Sequence, residues 1–178
     1  MIGKRLYSGV LLGMGVIVGS VLAAQAGQIR YVSKTGENIA PYTSWRRAAR
    51  TIHAAVRVSA AGDTIVVGPG VYAITSTIVL PGRVTLISKL GAADTTIQGN
   101  GKVRCVFMSK AKSTLDGFTI TGGGTIGNGA GVYCNNGQVL NCVISSNHAT
   151  GAQEPCGGGV YAFNYSVISN CLVEANSV

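Results

Sequence analysis

Residues 129–136 read GAGVYCNN and residues 157–164 read GGGVYAFN, so nearly the same sequence returns after 28 positions. A fixed period of about 20 to 50 residues is the signature of a solenoid, in which each repeat buries its apolar face by stacking on its neighbours. Gly131 and Gly159 would allow the chain to turn into a strand. The repeat therefore indicates the pitch of a coil rather than a ligand-binding motif.

This register predicts which side chains share a face of the coil. Side chains alternate along a strand, so Val132 and Val160 are expected at one level of successive coils. Tyr133 and Tyr161 are then expected to stack on the opposite face.

A second alignment extends the pattern in both directions. GFTITGG at 117–123 matches NCVISSN at 141–147 and NCLVEAN at 170–176, with steps of 24 and 29 between the aligned residues. Positions two apart on a strand face the same way, so the alignment predicts two inward columns of side chains. These columns are Phe118, Cys142 and Cys171, and Ile120, Ile144 and Val173.

Asn147 and Asn176 end the aligned strands, and Gly123 takes the equivalent place. Asn and Gly accept left-handed backbone conformations, so we expect these residues to form the turn. Their amides are expected to form a ladder that links successive coils, and a glycan-binding role is the less favoured alternative.

The chain has five cysteines, and their spacing matches no zinc pattern because CxxC is absent and the two histidines are far apart. Cys142 and Cys171 would stand in successive rungs of one inward column. Stacked coils lie only ~4.8 Å apart, which permits a strained disulfide without requiring one. We expect reduced thiols that fill space in the core.

Residues 62–116 contain short segments rich in Val, Ile and Thr that are closed by Gly, Pro or Asn, as strands and turns are. No helical crossovers separate them. The predicted fold is therefore all-β, a parallel β-helix of roughly four coils over residues 62–178, preceded by a strand and a capping α-helix over residues 27–61.

The segment that begins at Ser44 predicts that capping helix. Thr43 or Ser44 can cap its start, and Gly62 lies just past its end. The helix would cover the open edge of the first coil. Its apolar residues fall on one helical stripe: Trp45, Ala48, Ala49, Ile52, Ala55 and Val56.

The opposite side of this helix would carry Arg46, Arg50, His53 and Arg57. One interpretation is a binding strip for carboxylates or phosphates, with which the planar guanidinium pairs well. The other is the solvated back of an amphipathic helix. The sequence leaves both open and favours the solvated back.

Residues 1–26 have a basic start, an apolar run and an Ala-Gln-Ala end, as a cleaved signal peptide does. A membrane anchor is the alternative. Two of the 14 Lys and Arg residues and none of the 6 Asp and Glu residues lie there, so the mature chain would carry 12 against 6, a net charge of +6. This charge suits an acidic glycan or cell envelope, and export disfavours nucleic acid.

The order YVSKTG, amphipathic helix, GDTIVVGPGVY, VTLIS, TTIQGNG and LDGFTITGG resembles the N-terminal part of secreted right-handed parallel β-helix proteins of the pectin-lyase-like superfamily, which implies a right-handed coil here. The GAGVY and GGGVYAFN repeats are also similar to those of polymorphic outer-membrane proteins. The sequence ends at CLVEANSV, within a repeat, so we expect a chain truncated at its C-terminus.

The resemblance implies lyases, which use a basic residue and often calcium held by carboxylates, or hydrolases, which use a pair of carboxylates. In the register above, no two acidic residues converge. We therefore assign no catalytic residue, no metal site and no cofactor, with calcium possible only if later coils supply carboxylates. Asp63 and Asp116 are expected to be structural, and His148 is a weak catalytic candidate.

Two hypotheses follow from these observations. The first is an exported, monomeric, non-catalytic module, secreted or held at the cell surface, that binds acidic polysaccharide or cell-envelope polymer or acts in adhesion. The alternative is the N-terminal part of a polysaccharide lyase or glycoside hydrolase whose active residues lie on later coils. A purely structural spacer is the default if neither binding nor cleavage occurs.

Overall fold

The computed structural model describes residues 27–109, 112–151 and 156–178. The predicted signal peptide, residues 1–26, and Glu154 lie outside the described residues. The helix is α1, Ile52–Arg57. The strands are β1 Ile29–Val32, β2 Thr64–Val67, β3 Gly70–Ala73, β4 Ile78–Val79, β5 Thr85–Ser88, β6 Thr95–Gln98, β7 Val106–Met108, β8 Thr114–Asp116, β9 Thr119–Thr121, β10 Gly124–Ile126, β11 Val132–Asn135, β12 Gln138–Leu140, β13 Val143–Ser145, β14 His148–Thr150, β15 Val160–Phe163, β16 Val167–Ser169 and β17 Leu172–Glu174.

The strands form a parallel β-solenoid of about 4 turns, which confirms the predicted fold class. Three main sheets surround one core: sheet A has the order β1-β2-β5-β8-β12-β16, sheet B the order β3-β6-β9-β13-β17 and sheet C the order β4-β7-β11-β15. A small fourth sheet pairs β10 with β14. From β2 onward the chain visits A, B and C in turn, so each neighbour in a sheet comes from the next coil.

The predicted inward columns are present. Ile144 pairs in register with Ile120 on one side and Val173 on the other. Ile120 and Ile144 are fully buried, whereas Val173 on the last coil is 48% exposed. On the outer face of sheet C, Tyr133 lies in register with Tyr161, and their ring centroids are 5.5 Å apart. The 28-residue spacing of the GVY repeat and the steps of 24 and 29 residues in the second alignment therefore each correspond to one coil.

The predicted left-handed conformation of Asn147 and Asn176 is wrong. The residues with positive φ at this turn are Gly122, Ser146 and Ala175, each one position earlier. The asparagine side chain bonds to the next coil. The residue before it adopts the left-handed conformation that bends the chain.

The predicted helix is also shorter than expected. Residues 46–48 bond to the preceding loop instead of to one another, because their carbonyls accept from the N–H groups of Glu37, Ile39 and Asn38. Thr51 is extended, with φ −133° and ψ 149°, and its hydroxyl accepts from the Ala54 N–H to cap α1. The helical stripe thus holds only from Ile52 onward.

The outer edge of β1 is covered by this non-helical segment rather than by α1. Ala49 forms an isolated parallel bridge to Val32, and its N–H and C=O bond to Tyr31 and Ser33. Helix α1 packs beside it against β1, β2 and β4 and buries Ile52 and Ala55. The first strands of sheets A and C therefore have neighbours on their outer side.

A buried ion pair closes the same end of the core. Arg30 points inward from β1, in register with Ile65, and its Nε donates to Asp63 Oδ2 at 2.8 Å. Asp63 also accepts from the N–H groups of Gln28 and Ala60. Burial raises the pKa of Asp63, but these N–H donors and the guanidinium outweigh it, so its pKa is lowered overall.

Candidate functional site

The three arginines expected on one side of a single helix do not belong to one helix, because α1 begins at Ile52 and contains only Arg57. Arg46 Nε donates to Glu37 Oε1 at 2.8 Å in an exposed ion pair. Arg57 is exposed in the last turn of α1. Arg50 precedes the helix and lines a cavity.

This cavity, which we call the basic pocket, has a volume of about 290 Å³. It lies between the loop after β1, the start of α1 and the turn that joins β3 to β4. Lys34, Arg50 and His53 supply its positive or protonatable groups. The rest of its lining comes from Thr51, Ile52, Tyr72, Ala73, Ile74, Thr75 and Ser76.

Each of the three basic side chains is held in place by contact with one other residue. Lys34 Nζ lies 4.6 Å from the centre of the Tyr72 ring, a cation–π contact. Arg50 Nε donates to the Gly36 carbonyl at 2.8 Å. His53 Nε2 lies 2.9 Å from the Ser76 carbonyl and 3.2 Å from its hydroxyl. Among the described residues, the ammonium group of Lys34 and the Nη groups of Arg50 have no hydrogen-bond partner, so their donors are open to a ligand.

The pocket also meets the uncovered edge of a sheet. Strand β3 is the first strand of sheet B, and its Gly70 N–H donates to the next coil, as does that of Ile74 just beyond it. Successive N–H groups on a strand point to alternate edges, so the Ala73 N–H points away from that coil. Ala73 lines the pocket at this edge.

The basic pocket is therefore rich in positive charge and hydrogen-bond donors. Among the described residues that line it there is no carboxylate, and neither Lys34 nor Arg50 forms an ion pair within the described part of the chain. Such a set of groups suits a carboxylate or another small anion, because charge-assisted hydrogen bonds to planar anions are the strong ones.

Three of the five acidic residues in the described ranges have separate partners. Asp63 and Glu37 hold Arg30 and Arg46, and Asp116 Oδ1 accepts from the Asn141 amide at 2.7 Å. Across the three described ranges, no group of three or more His, Cys, Asp or Glu residues is placed to hold a metal ion. His148 is exposed on β14, and its Nδ1 lies 2.7 Å from the Ser177 hydroxyl.

The residues assigned to turns and ladders lie together at one corner of the coil. Asn147 Nδ2 donates to Asn176 Oδ1 at 2.9 Å and to the carbonyls of Ile120 and Ser145, while its Oδ1 accepts from the Gly123 N–H. Gly131 faces this amide, and a Cβ there would lie 2.9 Å from Asn147 Nδ2.

Gly159 faces the amide of the next rung in the same way, at 2.7 Å from Asn176 Nδ2. These two glycines therefore make room for the ladder. The turn conformation itself falls to Gly129 and Gly157, which have φ of +68° and +66°.

The cysteines of the predicted column are thiols that pack against backbone. Cys142 is buried, and its N–H lies 3.4 Å from Cys171 Sγ. Burial raises the pKa of Cys142 to about 12, and burial does the same for Cys105. Neutral thiols of this kind fill space and are poor nucleophiles.

Two residues that matter here were missed by sequence reasoning. Alternation in the strand IRYV places Arg30 on the inward face with Val32, so a buried arginine that needs an acidic partner could have been predicted. Lys34 carries no comparable signal, because its contact with Tyr72 joins segments that are far apart in the sequence.

Comparison with protein-family models, with curated proteins and with solved structures finds no match for this chain. Over the described residues, no helix combines the length and the apolar character needed to cross a bilayer.

Proposed function

We propose that this protein is an exported β-helix protein of the pectin-lyase-like type that binds an acidic polysaccharide of a cell surface or envelope through the basic pocket. The observation that carries the proposal is the grouping of Lys34, Arg50 and His53 around one cavity whose described lining has no carboxylate. The excess of basic residues over the whole chain supports it.

The size and chemistry of the pocket favour a carboxylated sugar. A volume of about 290 Å³ is at the lower end of ligand-binding cavities, which suits a single sugar residue. The planar fork of Arg50 pairs with a carboxylate, and the hydroxyls of Thr51 and Ser76 match sugar hydroxyls. We therefore propose that one uronate residue of the polymer occupies the pocket.

Calorimetric titration with polygalacturonate tests the proposal. Lys34→Gln and Arg50→Gln should each weaken binding about tenfold, because one charge-assisted hydrogen bond contributes roughly 1.5 kcal/mol or more. Arg57→Gln removes the same charge from an exposed site outside the pocket and is the matched control. Thermal melting of each variant separates loss of binding from loss of folding.

Two further measurements complete the test. Binding should fall as salt is raised from 0.05 to 0.5 M, because the contacts are electrostatic, and fully methyl-esterified polygalacturonate should bind weakly. Equal affinity for both polymers, or an Arg57→Gln effect as large as that of Lys34→Gln, would contradict the proposal. Release of unsaturated or reducing sugar ends in the same samples would support the enzymatic alternative.

A further inference from the structure

Arg104 is a half-buried guanidinium without an acidic partner in the described chain. Its Nε donates to the Gly129 carbonyl at 2.9 Å, and its Nη2 donates to the Asn128 carbonyl at 2.8 Å. Its Cζ lies 5.1 Å from the ring centre of Phe107 and 5.2 Å from that of Tyr133. Four contacts fix this side chain, and the remaining N–H donors, on Nη1 and Nη2, have no partner among the described residues.

The register places Arg104 beside the basic pocket along the solenoid. Ile78 of β4 pairs with Val106 of β7, so Ser76 and Arg104, each two residues earlier, hold equivalent positions on successive coils. Ser76 is the residue that contacts His53 in the pocket. Arg104 belongs to the coil after that of Ser76, and its guanidinium bonds to the Asn128 and Gly129 carbonyls of the coil after that. The guanidinium is therefore about two coil steps, or ~10 Å, from the pocket.

We infer that Arg104 is a second carboxylate subsite for the same acidic polysaccharide. The polysaccharide chain would run along the solenoid axis, from the basic pocket to Arg104 beside sheet C. The inference rests on the proposed function, because the occupant is a further uronate residue of the polymer held in the pocket. A single sugar is too short to engage both sites, whereas a trisaccharide spans them.

The surroundings of Arg104 match such an occupant. Phe107 and Tyr133 are half-buried and expose apolar surface next to the guanidinium, on which the C–H groups of a sugar ring can lie. Burial lowers the pKa of Arg104, and no acidic side chain of the described residues pairs with it to offset that burial. A bound carboxylate would offset part of that cost.

The test compares galacturonate with trigalacturonate. The wild-type protein should bind the trimer at least tenfold more tightly than the monomer. Arg104→Gln should lower trimer affinity about tenfold and leave monomer affinity unchanged, whereas Lys34→Gln should lower both. Arg57→Gln again serves as the control of equal charge.

Each outcome has a defined meaning. Equal binding of trimer and monomer by the wild type, or an Arg104→Gln variant that binds the trimer normally, would overturn the second subsite. Normal binding of both monomer and trimer by the Lys34→Gln variant would instead overturn the proposed function. If Arg104→Gln proves unfolded by circular dichroism, Arg104→Lys replaces it; this variant keeps the charge but loses the fork, and a several-fold loss for the trimer alone is expected.

Discussion

Asn147 shows how one side chain links three coils. It is 1% exposed, and its amide bonds to the Ile120 carbonyl of the preceding coil and to Asn176 of the following one. Its Oδ1 accepts from the Gly123 N–H, which would otherwise be a buried donor without a partner. No other side chain of similar size carries two donors and an acceptor on one planar group except glutamine, which is longer.

Replacement of Asn147 should therefore destabilise the protein strongly. Asn147→Ala leaves the Gly123 N–H buried without a partner, at about 1–3 kcal/mol, and removes the bonds of the Asn147 amide to Ile120, Ser145 and Asn176, at about 0.5–1.5 kcal/mol each, so we expect a loss of about 3–5 kcal/mol. Asn176→Ala is the comparison variant. It removes the bonds that the Asn147 N–H and Nδ2 donate to Asn176 Oδ1, but the last rung is only half-buried and water can replace them, so about 1 kcal/mol is expected. Urea unfolding measures both, and equal losses would contradict the ladder's role.

The asparagine ladder could be predicted from sequence, but its backbone geometry could not. Alignment of NCVISSN with NCLVEAN brings Asn147 and Asn176 to equivalent places on stacked coils. Composition does not reveal which neighbour takes the left-handed turn, and Ser146 and Ala175 are unusual choices for it.

At the level of elements, α1 shows why periodicity alone misjudged the helix. Ala48, Ala49, Ile52 and Ala55 are all fully or almost fully buried, as a helical stripe predicts. The bridge to β1 buries Ala48 and Ala49 without any helix. Burial of these alanines therefore does not distinguish a helix from an extended segment that pairs with a strand. The pairing of residue 49 with Val32 depends on a partner far away in the sequence.

The ion pair beside α1 gives a test of the capped end. Asp63→Asn should cost about 3–5 kcal/mol, because it leaves Arg30 charged and buried. Glu37→Gln breaks an ion pair whose arginine side chain is 82% exposed, and it should cost less than about 1 kcal/mol. Urea midpoints at pH 7 compare the two, and similar costs would contradict a structural role for the buried pair.

Acid should affect this junction in a defined direction. The folded pKa of Asp63 is lowered, so its contribution is present above the unfolded value of about 3.9 and is lost as pH falls through the folded value. The wild type should lose stability in this range, and Asp63→Asn should lose less. The same urea midpoints, repeated down to pH 2, provide the measurement.

Over the whole molecule, the solenoid could be predicted because every coil must bury apolar side chains at the same positions. Each strand places an apolar side chain in register with that of the preceding coil, so the apolar pattern recurs in the sequence at the length of one coil. The basic pocket has no such repetition. It joins residues near positions 34, 50 and 73, and the approach of those segments is decided by packing.

Stability should also vary along the solenoid axis. Strands β15, β16 and β17 are each the last in their sheet, and Val167 and Leu172 on two of them are 44% and 51% exposed, against 0% for Leu86 and Ile97. The amides of Val167 and Leu172 bond to the preceding coil, and they should exchange with deuterium at least ~10-fold faster than those of Leu86 and Ile97, which corresponds to about 1.4 kcal/mol in local opening. Uniform exchange across the four amides would contradict this gradient.

The position of Trp45 has a practical consequence for spectroscopy. It is the single tryptophan, and it lies at the capped end with its ring centre 4.6 Å from that of Tyr31 and 4.7 Å from Lys89 Nζ. Its fluorescence therefore reports on the first coils alone, whereas circular dichroism averages over every coil. Melting curves recorded by the two signals would coincide if the solenoid unfolds as one unit and would separate if it unravels from one end.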